Sequence, residues 1–155
     1  MHKPASIKRF ERFWWGSLIL SLLVTRASWD RVRNSIDERF AADPRLSADP
    51  SAAMIAHGAQ WAGLAVVLLW TLLVWFLVSR RSAVGKWLAV VSAVLSGVQL
   101  LILFGGLAVG RTFHPFSHLA GTAAAVLTIL AAAALFRPDA RAWLGETRRA
   151  DELPS

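Results

Sequence analysis

Uncharged, largely apolar residues gather into three long blocks, 51–79, 87–110 and 112–136, and the charged residues fall between and around them. A helix rises 1.5 Å per residue and needs roughly 20 apolar residues to cross about 30 Å of hydrocarbon. Each block exceeds that length, so the pattern predicts spanning helices over about 51–79, 87–110 and 115–136. Helix-opening prolines sharpen the starts. Asp49-Pro50 and His114-Pro115 each pair a capping residue with a proline suited to a first turn.

The first apolar block is shorter. Between Arg12 and Arg26 it holds about a dozen apolar residues, from Phe13-Trp14-Trp15 to Val24. Lys3, Lys8, Arg9 and Arg12 before it, and Thr25-Arg26-Ala27 before Ser28, also fit a cleaved signal peptide. The paired tryptophans and the arginine beside the cut favour a retained span over about 13–29, with Arg12 and Arg26 snorkelling to the two interfaces.

A period-3.6 pattern follows. Trp29, Val32, Ile36 and Phe40 recur every three or four residues among Asp30, Arg31, Arg33, Asp37, Glu38 and Arg39, which predicts an amphipathic helix over 29–41 lying on the outer membrane surface. After the last block, Arg137-Pro138-Asp139 restarts a short interfacial helix carrying Trp143 and Leu144, and 145–155 reads as a disordered cytoplasmic tail. The predicted fold is an all-α membrane protein: a four-transmembrane-helix bundle forming one domain over 1–144, with an outer amphipathic helix and a short C-terminal interfacial helix.

Composition agrees, with 55% hydrophobic residues and a mean hydropathy of +0.47. A net charge of +7 and a pI near 11.5 raise the question of nucleic acid, but the 17 Lys and Arg lie between apolar blocks, as topology signals do. With four spans, eleven basic residues fall on the side of both termini and the 80–86 loop, against six on the other. The positive-inside rule then predicts both ends in the cytoplasm, the lipid bilayer as principal partner and no nucleic-acid partner. No cysteine is present, so disulfides and thiolate chemistry are excluded.

Helices in lipid associate through close packing and hydrogen bonds, which places small residues at their contacts. Ala89, Ser92, Ser96, Gln99, Gly106 and Gly110 share one face of the third block. Ala52, Ala56, Ala59 and Gly63 stripe the second, and Ser117, Gly121, Ala124, Thr128 and Ala132 the fourth. These read as packing seams. The Gln99 amide needs a partner in hydrocarbon, with Thr128 or a backbone carbonyl expected to supply it.

His57, His114 and His118 are expected near the outer face, where imidazoles at one depth could bind haem or a metal, completed by Asp30, Asp37 or Glu38. The plainer expectation is solvated headgroup-level histidines and no cofactor. No carboxylate falls within the blocks, which argues against a proton relay, and no Ser-His-Asp or HExxH arrangement is present. No enzymatic activity is expected.

Arg80-Arg81-Ser82-Ala83-Val84-Gly85-Lys86-Trp87 and Phe136-Arg137-Pro138-Asp139-Ala140-Arg141-Ala142-Trp143-Leu144 resemble segments of small four-span inner-membrane proteins of proteobacteria with no assigned function. The resemblance covers the loop, the C-terminal exit and the span pattern, and 29–50 departs from it. It implies a bacterial inner membrane and transfers no activity or site residue. The leading expectation is an accessory or self-associating helix-packing protein, as a homo-oligomer or within a larger membrane complex. A haem or metal protein and a multi-subunit transporter or channel lined by Ser92, Ser96 and Gln99 are the alternatives.

Overall fold

The computed structural model describes residues 3–43, 50–108 and 115–145. Their regular elements are five helices: α1 (Ala5–Ala42), α2 (Pro50–Ser79), α3 (Ala83–Ala108), α4 (Pro115–Ala134) and the short α5 (Pro138–Trp143). Proline opens α2, α4 and α5, where its missing N–H is not needed. The end of α2 is a Schellman turn: Ser82 N–H donates to the Leu77 carbonyl and Arg81 N–H to that of Val78. Arg81 takes the left-handed position at φ 61°, which usually falls to glycine, and its guanidinium stacks 4.1 Å from the centre of the Trp143 ring.

Among the described residues three helical segments are long and apolar enough to cross a membrane: Met54–Ser79, Ala83–Gly106 and Pro115–Ala134. They match the three predicted blocks, with α3 starting at Ala83, ahead of the expected Trp87. The N-terminal region differs from expectation. Instead of a span over 13–29 followed by a separate surface helix over 29–41, α1 is one helix of 38 residues, about 57 Å long. Nothing in the sequence stops it, because no proline or second glycine lies between Gly16 and Pro44. The stretch beyond Trp29 also stays beside α2, with Trp29 packed on Trp61 at 4.5 Å between ring centres and Asp37 3.0 Å from His57.

Each long helix runs antiparallel to its chain neighbours, and α1 packs most extensively along α4. The buried core lies at one end. Ile7, Phe10 and Trp14 from α1 meet Val74 and Val78 from α2, Ala89 from α3, Ala131, Ala134 and Leu135 around the end of α4, and Ala140 from α5. At this closed end the turn into α3 is tight. A methyl on Gly85 would come within 2.7 Å of the Val78 backbone nitrogen, so only glycine fits. Lys86 is buried beside it with its ammonium 4.4 Å from the centre of the Phe136 ring.

The opposite end is open. Beyond Ala89 no residue of α3 whose side chain is described is fully buried, and Val91, Val94, Leu95, Leu101, Ile102 and Phe104 face outward. Charge divides along the same axis. Lys3, Lys8, Arg9, Arg12, Arg80, Arg81, Lys86, Arg137 and Arg141 surround the closed end against Glu11 and Asp139. Among the described residues at the open end, Arg26, Arg31, Arg33 and Arg39 balance Asp30, Asp37, Glu38 and Asp43.

Candidate functional site

A seam of hydroxyls runs between the helices from the closed end outward. At its base Trp14, buried, donates its indole N–H to the Thr71 carbonyl at 3.0 Å, tying α1 to α2. Further along, Ser17 and Thr128 oxygens lie 2.6 Å apart between α1 and α4. Thr128 gives its one proton to the Ala124 carbonyl at 3.0 Å, so Ser17 is the donor in the pair. Ser92 on α3 likewise donates to the Leu88 carbonyl and accepts the Trp70 indole N–H from α2, each at 2.9 Å. Backbone bonding of this kind keeps the hydroxyls satisfied within apolar helices.

Two adjoining cavities follow the seam. One of about 200 Å³ touches Trp14, Ser17, Ser21, Trp70, Ser92 and Ser96. The other, about 160 Å³, lies farther out among Ser21, Thr25, Ser96, Gln99, Gly121 and Thr128. Ser17, Ser21, Ser96 and Thr128 border both. The outer cavity, bordered by hydroxyls and the Gln99 amide, is polar enough for water or a small neutral solute, whereas Leu18, Val67, Leu95 and two indoles make the inner one largely apolar. The charged end beyond them holds a larger groove of about 400 Å³ between α1 and α2.

The expected packing residues fall into two groups. Ala89 is buried, Ser92 and Ser96 are half-buried along the seam, and Thr128 is buried against α1. Thr128 is not the partner of Gln99, however, because Ser17 from α1 occupies that place; Gln99 stays exposed at the rim of the outer cavity. A methyl on Gly63 or Gly121 would meet nothing within 4 Å, so neither is a close helix contact within one chain. Gly106 is half-buried near the end of α3. Gly110 and His114 lie outside the described residues, as does the tail 146–155.

His57 and His118 both sit toward the open end. His57 pairs with Asp37 across α1 and α2, and His118 is half-buried in the first turn of α4. Among the described residues no group of three or more His, Asp or Glu side chains is placed to hold a metal ion. Among the described residues Asp139 has a displaced pKa. The Ser6 hydroxyl, which makes no hydrogen bond of good geometry, and the Ser6 backbone N–H, which donates to Asp139 at 3.2 Å, hold its carboxyl below the usual aspartate value.

Sequence reasoning used Trp14 only as one of a pair favouring a retained span, not as a core residue, and gave Ser17, Thr71, Trp70 and Gly85 no packing role. A signal existed for the first two: Trp14 and Ser17 lie three apart with Phe10 and Ile7, on one stripe of α1. The chain matches no known family model, no curated protein and no solved structure.

Proposed function

We propose that this is a four-span protein of the bacterial inner membrane, both ends cytoplasmic, that acts without catalysis through helix contacts, as an accessory subunit or in self-association. The fourth crossing is α1. Its contacts pair Ser17 with Thr128 and Ser6 with Asp139, and Thr25 borders the same cavity as Gly121, so α1 follows α4 from its C-terminal end to within two turns of its start. Arg26 then lies near the outer mouth, within snorkelling reach of water. The concentration of basic residues round the closed end supports a cytoplasmic position for it.

The observation that carries the proposal is Gln99, an exposed amide toward the open end of α3, on a helix surface that presents Val94, Leu95, Leu101 and Ile102 outward. Facing lipid it would lack hydrogen-bond partners, at a cost of a few kcal/mol, and a neighbouring helix removes that cost. Cross-linking in native membranes followed by mild-detergent purification tests this. The expected result is a colourless species linked to itself or to a larger partner, with linkage reduced in Gln99→Leu. A monomer that is indifferent to Gln99→Leu overturns it, and a Soret band abolished by His118→Ala would establish the haem alternative.

The hydroxyl-lined cavities favour a second reading, passage of a small neutral solute past Ser92, Ser96 and Gln99. Ile7, Phe10 and Trp14 close the path at the cytoplasmic end. Liposome flux unchanged by Gln99→Leu removes that reading.

A further inference from the structure

The groove between α1 and α2 is graded in polarity along its length. Leu22 lies at its deep end, Trp29 and Trp61 form a tilted pair in its wall with Leu64 beside them, and Arg26, Asp30 and Arg33 line it on one side of α1. From Leu22 to Arg33 the helix climbs about 16 Å, the depth over which a bilayer passes from acyl chain to headgroup. Arg26 and Asp30 face each other at 3.7 Å with side chains 77% and 81% exposed, a loose pair whose partners exchange at little cost.

We propose that this groove holds one outer-leaflet phospholipid whose headgroup carries both a phosphodiester and an ammonium. The proposal rests on α1 crossing the bilayer as argued above. Guanidinium groups bind phosphate oxygens through paired, charge-assisted hydrogen bonds, which suits Arg26 and Arg33. Asp30 lies between them in the chain, four residues from one and three from the other, and on the same side of α1. Any anion held by both arginines therefore meets this carboxylate. A headgroup with its own ammonium satisfies all three charges, whereas a purely anionic headgroup leaves Asp30 opposed. The indole rings and the two leucines offer the acyl chains an apolar wall at the depth where tryptophan concentrates in membrane proteins.

The test is native mass spectrometry of the detergent-purified full chain with diacyl phosphatidylethanolamine, diacyl phosphatidylglycerol or inorganic phosphate. Phosphatidylethanolamine should be retained in preference to phosphatidylglycerol. Combined Arg26→Gln and Arg33→Gln should lower that retention about tenfold, and Asp30→Asn should reverse the preference. Lys8→Gln with Arg9→Gln, at the opposite end, should leave it unchanged. Equal retention of the two lipids, or retention indifferent to the arginine pair, overturns the site; displacement by inorganic phosphate overturns the lipid as its occupant. The chain has no cysteine, so Asp43→Cys with a membrane-impermeant maleimide on intact cells reports the crossing separately. Outside labelling with indifferent lipid retention defeats the groove alone. Absence of outside labelling defeats the four-span reading and the groove with it.

Discussion

Thr128 and Gly121 lie two turns apart on α4, in the same stripe of small residues, yet their surroundings differ. Thr128 is buried against Ser17, while a methyl on Gly121 would meet open space. The contrast extends to the two ends of the molecule. At the closed end five helices bring side chains into contact, and at the open end α2, α3 and α4 present leucine, valine and phenylalanine outward. In water such an end would collapse, because exposed apolar surface is costly. In a bilayer it does not, since lipid tails solvate these side chains as well as another helix would. Closure there needs specific hydrogen bonds or shape fit, and in this molecule those are concentrated at the closed end.

The largest expected effect follows directly. Phe10 is fully buried, and Phe10→Ala should cost about 3–5 kcal/mol through lost packing and the cavity left behind. Ile102, 63% exposed on the open half of α3, should tolerate alanine within about 0.5 kcal/mol. Reversible unfolding in mixed micelles, followed by circular dichroism, measures both. Similar losses at the two sites would mean that the packed end is not what holds the helices together.

A smaller but sharper contrast uses two glycines. Gly85→Ala places a methyl against rigid backbone, 2.7 Å from the Val78 nitrogen, and should cost about 1–3 kcal/mol by forcing α2 and α3 apart. Gly121→Ala meets nothing within 4 Å and should be neutral or slightly stabilising, because alanine is the better helix former. If Gly121→Ala destabilises purified, separated monomers as much as Gly85→Ala does, the open end is closed in solution. If it disrupts only the associated form, the glycine faces a partner helix.

The helices were legible in the sequence because their signals are strong and local. Uncharged length fixed α2, α3 and α4 to within a few residues, and prolines marked where α2, α4 and α5 begin. The path of α1 was not legible. An amphipathic period over 29–41 is equally consistent with a helix on the membrane surface and one continuing beside α2, and the choice depends on Trp29 finding Trp61 and Asp37 finding His57. Small-residue stripes carried a similar ambiguity. They name a helix face without naming the neighbour: Ser92 and Thr128 each bond a side chain of another helix, and the partner of Thr128 comes from the shortest apolar block, on α1. Gly85, the tightest contact, sits in a cationic loop that periodicity does not describe.

The smallest effect concerns how the closed end is fastened. Pro4 precedes α1 without a capping side chain, leaving first-turn N–H groups unpaired within the helix. Asp139, from the start of α5, reaches back to accept the Ser6 N–H at 3.2 Å and so caps α1 from the far end of the chain. The dipole of the Ser6 hydroxyl, not itself hydrogen-bonded, and this N–H bond favour the carboxylate form, outweighing slight desolvation, and the pKa of Asp139 is lowered. A depressed folded pKa means that the unfolded chain binds a proton first as pH falls. The contribution is therefore complete above the ordinary aspartate value, about 3.9, and is lost as pH drops from there through the lowered folded value. Asp139→Asn should flatten that acid limb and leave the slope between pH 6 and 8 unchanged. Ser6→Ala removes the hydroxyl and keeps the N–H bond, so part of the limb should survive. Detergent unfolding midpoints between pH 2.5 and 7 decide it, and an Asp139→Asn curve that still falls in parallel with the parent would show that the α1 cap contributes nothing to holding the two chain ends together.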